Sequence, residues 1–187
     1  AARDAALALV HPTTRYEDLA QADLVIEAAT ENPAIKFDIL KKVDAIAKAG
    51  AVVASNTSSI SITQLAAVTK RGERFIGMHF FNPVPMMALV ELIRGLQTSD
   101  ATVAAAEGLA KRLGKTPIVV KNSPGFVVNR ILCPMLNEAV FALQEGLASA
   151  AAIDEGMKLG CNHPIGPLAL ADMIGLDVLL AVMNVFY

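Results

Sequence analysis

Short apolar runs rich in β-branched residues alternate with amphipathic segments up to residue 121, and this alternation constrains the fold more than any other feature of the sequence. The apolar runs occupy residues 22–29, 51–54, 75–80, 89–93 and 116–121. Segments with helical periodicity separate them, at residues 62–68, at residues 100–113 and in a stretch that starts at Pro33. Strands and helices in this order form βαβ units, which build a mainly parallel sheet. We therefore predict an α/β fold.

The first of these helices has the clearest signals. Asn32 can cap its N-terminus, and Pro33 suits the first helical position, where the missing N–H costs nothing. Gly50 is expected to end it. Apolar side chains recur at helical spacing, at Ile35, Ile39, Val43, Ile46 and Ala47. We expect this face to pack on the sheet and the charged residues, Lys36 among them, to lie mostly on the other faces.

The pattern changes at residues 122–125. No later segment has strand character, and helical segments follow at residues 126–144, 150–159, 168–173 and 176–186. We predict a sheet domain over residues 1–122 and a smaller all-α domain over residues 123–187. The stretch from Ile174 onwards is apolar on nearly every face but too short for a membrane span, which predicts a buried core helix.

Charge and cysteine usage exclude several function classes. A formal net charge of −2 gives no reason to expect a nucleic acid or an anionic membrane as a partner. Cys133 and Cys161 form no C-x-x-C pair, so we expect reduced thiols, no disulfide and a cytoplasmic protein. Cys161 and His163 lack further ligands at usable spacing, which argues against a metal site. We see neither a signal peptide nor an initiating methionine, and expect the chain to begin within a longer protein.

Polar residues follow the first three predicted strands. Glu31 and Asn32 come after the first, residues 56–59 after the second, and His79 with Asn82 after the third. In an open parallel sheet, ligands bind beyond the carboxyl ends of the strands, so we expect these groups to line one cleft. Simpler explanations stay open, because residues 55–59 can cap the helix that begins near Ser61.

His79 and Glu91 are the candidate catalytic pair. If the strands that carry them lie side by side across the turn at residues 83–85, Glu91 can accept a hydrogen bond from one imidazole nitrogen and leave the other free as a general base. Glu91 lies among apolar residues and needs such a partner if it is buried. A polar contact within the core explains the pair almost as well, and Asn129 can be an ordinary surface residue.

Four motifs together resemble the 3-hydroxyacyl-CoA dehydrogenase family, and within it the small bacterial 3-hydroxybutyryl-CoA dehydrogenases. They are S-N-T-S-S at residues 55–59, H-F-F-N-P at residues 79–83, Glu91, and S-P-G-F-V-V-N-R at residues 123–130. The likeness covers essentially the whole chain, in order and at family spacing. It implies a Rossmann-type NAD domain followed by a helical domain that forms a homodimer. The implied activity is an NAD(P)-dependent oxidoreductase of fatty acid metabolism and β-oxidation.

The resemblance also implies residue roles. His79 would be the general base for reversible oxidation of a short-chain (3S)-3-hydroxyacyl-CoA, such as 3-hydroxybutyryl-CoA, to the 3-oxoacyl-CoA, and Glu91 would orient it. Ser58 would contact both substrate and cofactor, and Asn129 would hydrogen-bond near the reacting oxygens. The positions that would contact NAD, besides Ser58, are Glu31, Lys36 and Asn82.

The sequence departs from the family pattern in what it lacks. A G-x-G-x-x-G loop that holds the pyrophosphate is expected at the start of the domain, and none occurs in the 187 residues. We also expect the closing part of the helical domain to be missing, which would leave the apolar helix at residues 176–186 short of a partner. We therefore hold two hypotheses. Either the chain is part of a 3-hydroxyacyl-CoA dehydrogenase and is inactive by itself, or it is a non-catalytic fragment or structural relative that mainly self-associates.

Overall fold

The computed structural model describes residues 2–186, which form a five-stranded sheet with flanking helices, followed by four helices. The strands are β1 (Leu24–Glu27), β2 (Val52–Ser55), β3 (Phe75–Phe80), β4 (Leu89–Arg94) and β5 (Thr116–Lys121). The helices of the sheet region are α1 (Ala2–Leu7), α2 (Pro33–Ile46), α3 (Ile62–Ala67) and α4 (Asp100–Arg112), with 3-10 turns at Tyr16–Leu19 and Gly72–Arg74. The later helices are α5 (Val128–Gln144), α6 (Ala150–Cys161), α7 (Pro167–Ile174) and α8 (Leu176–Phe186).

The strands lie in the order β1-β2-β3-β4-β5, and the predicted mainly parallel sheet is confirmed. Strands β1, β2 and β3 run parallel, β4 runs antiparallel to β3, and β5 runs parallel to β4. Parallel neighbours need a crossover of about a dozen residues or more, whereas the short connection over residues 81–88 allows only an antiparallel pairing. As a result, β1, β2 and β3 have their carboxyl ends at one edge of the sheet.

Helix α2 begins as predicted and buries most of its predicted apolar face, together with Lys36. The side chain of Asn32 accepts a hydrogen bond from the Ile35 N–H, and Pro33 is the first helical residue. The buried residues are Lys36, Leu40 and Val43, whereas Ile35 is 53% exposed. Placing Lys36 on an outer face was therefore wrong, because β1 provides a buried carboxylate for it, which helical spacing cannot reveal. The helix also ends before Gly50, at Ile46.

Three groups of buried side chains hold the chain together. One face of the sheet packs on α2 and α3 through residues that include Val53, Leu65 and Phe75. The other face packs on α4 through a cluster formed by Ala54, Ile76, Met78, Val90, Leu92, Val103 and Ala106. A separate cluster joins α5, α7 and α8 through Cys133, Leu136, Ala171, Leu179 and Met183. The sheet region and the helical region thus have distinct cores.

The helical region follows the predicted pattern, with α5 starting two residues late because Gly125 and Phe126 have positive φ angles of 71° and 52°. The prediction that the last helix is buried was wrong for this chain. Helix α8 buries Leu179 and Met183, whereas Leu176 and Leu180 are 59% and 62% exposed. No single helix within residues 2–186 is long and apolar enough to cross a membrane, and α7 and α8 satisfy such a test only together, across a 96° bend.

Candidate active site

The polar groups that follow β1 and β2 meet at the carboxyl edge of the sheet. The hydroxyl of Thr57 donates a hydrogen bond to the Glu31 carboxylate at 2.6 Å. The N–H and hydroxyl of Ser58 donate to the other oxygen of Glu31, at 2.8 and 3.2 Å. The predicted convergence of these two clusters is therefore confirmed. The alternative that residues 55–59 cap the next helix was wrong, because Ser61 caps α3 and its side chain accepts a bond from the Gln64 N–H.

His79 and Glu91 face each other across the antiparallel pair β3–β4, as the sequence predicts. Nδ1 of His79 lies 2.7 Å from Oε2 of Glu91, and the two side chains are 8% and 0% exposed. A carboxylate can only accept, so Nδ1 carries the shared proton and the lone pair of the neutral ring lies on Nε2. The rings of Phe81 and Phe126 flank the imidazole, with centroids 4.6 and 5.6 Å away.

Nε2 of His79 is open to a ligand. Within residues 2–186, Glu91 is the only hydrogen-bond partner of the imidazole, and no buried side-chain nitrogen or oxygen lacks a partner. Nε2 therefore reaches solvent. The ring has one nitrogen held by a carboxylate and one free to exchange a proton, which is the arrangement that general acid–base catalysis requires.

Glu91 also binds the start of the helical region, a contact that sequence reasoning missed. Its Oε1 accepts hydrogen bonds from the N–H groups of Val127 and Val128, both at 3.0 Å, where α5 begins. Burial alone would raise the pKa of the Glu91 carboxyl. The bonds from His79, Val128 and Val127 outweigh burial and hold that pKa below its ordinary value. A carboxylate is thus kept ionised where the two regions meet.

Two other predicted site residues lie at the start of α5 and in the turn after β3. Asn129 is half-buried in the first turn of α5, directly after the residues that bind Glu91. Asn82 is exposed in the turn that follows β3. A nearby amide has a defined orientation, because the side-chain oxygen of Asn56 accepts a bond from the Phe80 N–H at 2.9 Å.

A second buried acid, Glu27, lies at the end of β1 and was missed by sequence reasoning. Its Oε2 accepts from Nζ of Lys36 at 2.5 Å and from the Ser55 hydroxyl at 2.8 Å, and its Oε1 accepts from the Ala29 N–H at 2.8 Å. Burial would raise the pKa of the Glu27 carboxyl, but Lys36, Ala29 and Ser55 together lower it. One sequence signal could have indicated this pair. A Glu ends the first apolar run, and a Lys on the following helix comes nine residues later.

A cavity of about 160 Å³ opens beside this acid. Its wall is formed by Ala28, Ala29, Thr30, Glu31, Lys36 and Asn56. The wall offers amine and amide donors together with a carboxylate, which fits the hydroxyl- and amide-bearing parts of a dinucleotide. It does not offer a glycine-rich loop for a pyrophosphate. Within residues 2–186, no three His, Cys, Asp or Glu side chains come together in a way that could hold a metal ion.

The sheet region is a Rossmann-type α/β unit with polar groups at its carboxyl edge, and a helical unit follows it. This combination is typical of a dinucleotide-binding domain with a helical extension. A family model described as "3-hydroxyacyl-CoA dehydrogenase, NAD binding domain" matches residues 1–123. One described as "3-hydroxyacyl-CoA dehydrogenase, C-terminal domain" matches residues 125–187. The chain therefore belongs to the 3-hydroxyacyl-CoA dehydrogenase family, which confirms the resemblance found in its motifs.

Two individual relatives agree with this assignment. The chain is 57% identical over 181 residues to a 3-hydroxybutyryl-CoA dehydrogenase of Clostridioides difficile, covering 97% of this chain and 64% of that protein. It is 71% identical to the (S)-3-hydroxybutyryl-CoA dehydrogenase of Ralstonia eutropha in a crystal structure that superposes with a TM-score of 0.97, covering 99% of this chain and 65% of that one. The chain thus spans slightly less than two thirds of the length of these two relatives.

Proposed function

We propose that the protein catalyses the reversible NAD-dependent oxidation of a short-chain (3S)-3-hydroxyacyl-CoA, such as 3-hydroxybutyryl-CoA, to the 3-oxoacyl-CoA. The observation that carries this proposal is the His79–Glu91 pair, in which Nδ1 is held at 2.7 Å and Nε2 is free at the carboxyl edge of the sheet. Family membership and the relatives named 3-hydroxybutyryl-CoA dehydrogenase support the choice of substrate class.

His79 acts as the general base in this proposal. Nε2 accepts the proton of the substrate 3-hydroxyl, the carbon–oxygen bond gains double-bond character, and the hydride leaves C3. Bound NAD supplies the hydride acceptor. Glu91 keeps Nδ1–H in place and balances the charge of the imidazolium that forms, while its second oxygen stays on the α5 N–H groups. In the reverse direction, the same imidazolium returns the proton to the 3-oxo group.

The other family positions would bind and orient the reactants. Ser58 would contact the substrate and the cofactor, and Asn129, in the first turn of α5, would donate a hydrogen bond near the reacting oxygens. Glu31, Lys36 and Asn82 would contact NAD. The hydroxyl of Ser58 already binds Glu31, which supports a shared role at the cavity beside β1. We infer that residues 1–187 alone are inactive, since they contain no G-x-G-x-x-G loop.

We also propose a homodimer that forms through the helical region. Supporting it are apolar side chains exposed on α5 to α8, among them Ile131 at 67%, Leu159 at 77% and Met173 at 70%. Exposed apolar surface of this kind marks interaction sites. Analytical ultracentrifugation of the protein as its gene encodes it tests this proposal. Finding only monomers would contradict it. The two unpaired thiols, Cys133 and Cys161, agree with a cytoplasmic location.

The test follows NADH absorbance during reduction of acetoacetyl-CoA by the protein as its gene encodes it. We expect activity in the wild-type protein and a loss of about 10²- to 10⁴-fold in kcat for His79→Gln, because the base is removed. NADH binding, measured in parallel, should stay close to wild type, and thermal unfolding should show a folded protein that has lost about the stability of one hydrogen bond. Full activity of His79→Gln would contradict the assignment of the base, and activity of the 187-residue chain would contradict its inferred inactivity.

A further inference from the structure

Glu27 has no role in the function proposed above, yet it is among the most tightly held side chains of the sheet edge. The residue is 4% exposed, and three donors fix its two oxygens: Nζ of Lys36, the hydroxyl of Ser55 and the N–H of Ala29. Lys36 itself is 1% exposed. Three hydrogen-bond donors hold the Glu27 carboxylate in a single orientation. The Lys36 ammonium that it binds is therefore held in place as well.

Stability alone does not explain this buried pair. Desolvating two charges costs so much that apolar side chains of similar volume often stabilise a protein as well or better. A partly buried ion pair that also involves α2, Asp44–Arg71, has an evident structural use, since Arg71 also donates to the carbonyl oxygens of Asp44, Ala47 and Lys48. In the described part of the chain, Nζ of Lys36 makes no comparable bond to the backbone. The Glu27–Lys36 pair therefore invites a functional explanation.

The position of the Glu27–Lys36 pair points to such a functional explanation. Lys36 lines the cavity of about 160 Å³ beside β1, together with Glu31 and Asn56. An ammonium has three N–H donors, and within residues 2–186 Glu27 is its one hydrogen-bond partner. The oxygen of the Asn56 amide is taken by the Phe80 N–H, which leaves the NH₂ group to donate. Two residues that line the cavity, Lys36 and Asn56, thus carry N–H donors, while Glu27 offsets the charge of Lys36.

We propose that Glu27 is a positioning residue, which holds the Lys36 ammonium at the cavity wall and neutralises it, so that the cavity binds an uncharged acceptor oxygen of the cofactor. A ribose hydroxyl and a carboxamide carbonyl share this chemistry. A phosphate does not fit as well, because phosphate recognition depends on uncompensated cationic charge or on a set of backbone N–H groups. The inference rests on the proposed function, and it adds Glu27 to the residues that set cofactor affinity.

The test compares Glu27→Gln with the control Asp44→Asn in the protein as its gene encodes it. NADH binding is followed by fluorescence titration, and thermal unfolding is measured without cofactor. We expect Glu27→Gln to raise the Kd for NADH about tenfold, the effect of a displaced hydrogen bond to a charged group. At saturating cofactor, kcat and the KM for acetoacetyl-CoA should stay within about twofold, since Glu27 contacts neither His79 nor its partners. Asp44→Asn should lower stability and leave the Kd unchanged.

A double variant separates positioning from simple structural support. Glu27→Gln combined with Lys36→Met removes both charges, so we expect it to regain the stability lost in Lys36→Met alone. It should not regain NADH affinity, because the donor is gone. Recovery of both would overturn the proposal, as would an unchanged Kd in Glu27→Gln or an equal loss of affinity in Asp44→Asn.

The salt dependence of NADH binding tests whether Glu27 neutralises the charge of Lys36. Lys36→Met should weaken NADH binding by the same factor at about 50 mM and about 500 mM salt, because a contact with an uncharged oxygen is not screened. A factor that shrinks as salt rises would indicate a phosphate contact and overturn the proposal. The proposed function fails by a different result, namely a wild-type protein that binds NADH but does not reduce acetoacetyl-CoA. That result leaves the binding tests of Glu27 informative.

Discussion

Glu27 and Glu91 lie on two strands of the same sheet, and each is a buried carboxylate with a basic partner and backbone N–H donors. In both, hydrogen bonds outweigh burial and lower the pKa of the carboxyl. The partners differ. Imidazole is the commonest general acid and base of enzymes, whereas a lysine ammonium is a point charge with three N–H donors.

The second difference is what each carboxylate joins. Glu91 binds β3 through His79 and the start of α5 through Val127 and Val128, so it connects His79 to the helical region. Glu27 binds β2 through Ser55 and α2 through Lys36, and stays within the sheet region. In the two proposals, the same buried-acid arrangement supports proton transfer at one site and ligand positioning at the other.

The largest expected effect concerns the reaction rate. Glu91→Gln keeps the shape of the side chain and an acceptor oxygen but removes the charge that balances an imidazolium. We expect kcat to fall by about 10²- to 10⁴-fold, the range for disturbed general base catalysis. Steady-state kinetics at saturating cofactor measures it, with Glu27→Gln as the matched control that should keep kcat within about twofold. Similar losses in both variants would erase the distinction between the two sites.

The next effect concerns stability. Lys36→Met leaves Glu27 buried without its cation, and breaking a buried ion pair in this way costs about 3–5 kcal/mol. His79→Gln leaves Glu91 with two backbone donors, so the loss should be nearer to that of one hydrogen bond, about 1 kcal/mol. Urea unfolding of the two variants gives both values. A larger loss in His79→Gln would mean that Glu91 depends on its side-chain partner more than Glu27 does.

The smallest effect concerns acid stability. Each carboxyl has a folded-state pKa below its ordinary value of 4.5, so its stabilisation is complete above that value and is lost as the pH falls through the lowered pKa. In that range the unfolded chain binds more protons than the folded one. Glu27→Gln and Glu91→Gln should therefore each lose less stability than wild type between neutral pH and the region below 4.5. Urea midpoints measured across this pH range test the prediction. If the stability of the variants fell with pH as steeply as that of wild type, the lowered pKa values of both carboxyls would be contradicted.

Parts of the candidate site could be predicted because they depend on neighbours along the chain or on one hairpin. The contact between His79 and Glu91 follows from a short connection that forces β3 and β4 into an antiparallel pair. The meeting of Glu31 with Ser58 follows from parallel strands that end at one edge. Their catalytic and binding roles stay predictions, which the proposed variants test.

Other parts could not be predicted, since they depend on groups far apart in the sequence. Helical periodicity placed Lys36 among the solvent-facing residues, but the carboxylate of Glu27 draws its ammonium inward. The N–H groups of Val127 and Val128 reach Glu91 across 36 and 37 residues, and no local pattern indicates that the first turn of α5 lies there. Hydrophobic periodicity alone favoured a buried α8, because an apolar helix does not reveal which neighbours cover it.

The sequence by itself determined the α/β class, the order of its strands and helices, and the pairing of His79 with Glu91, because hydrophobic periodicity and short connections act locally. Only the tertiary structure decided that a second buried acid, Glu27, lies at the same sheet edge and that Glu91 binds the start of the helical region. Both depend on hydrogen bonds between elements that approach one another only when the sheet and its helices have packed, and buried charges are tolerated only where such packing supplies every partner.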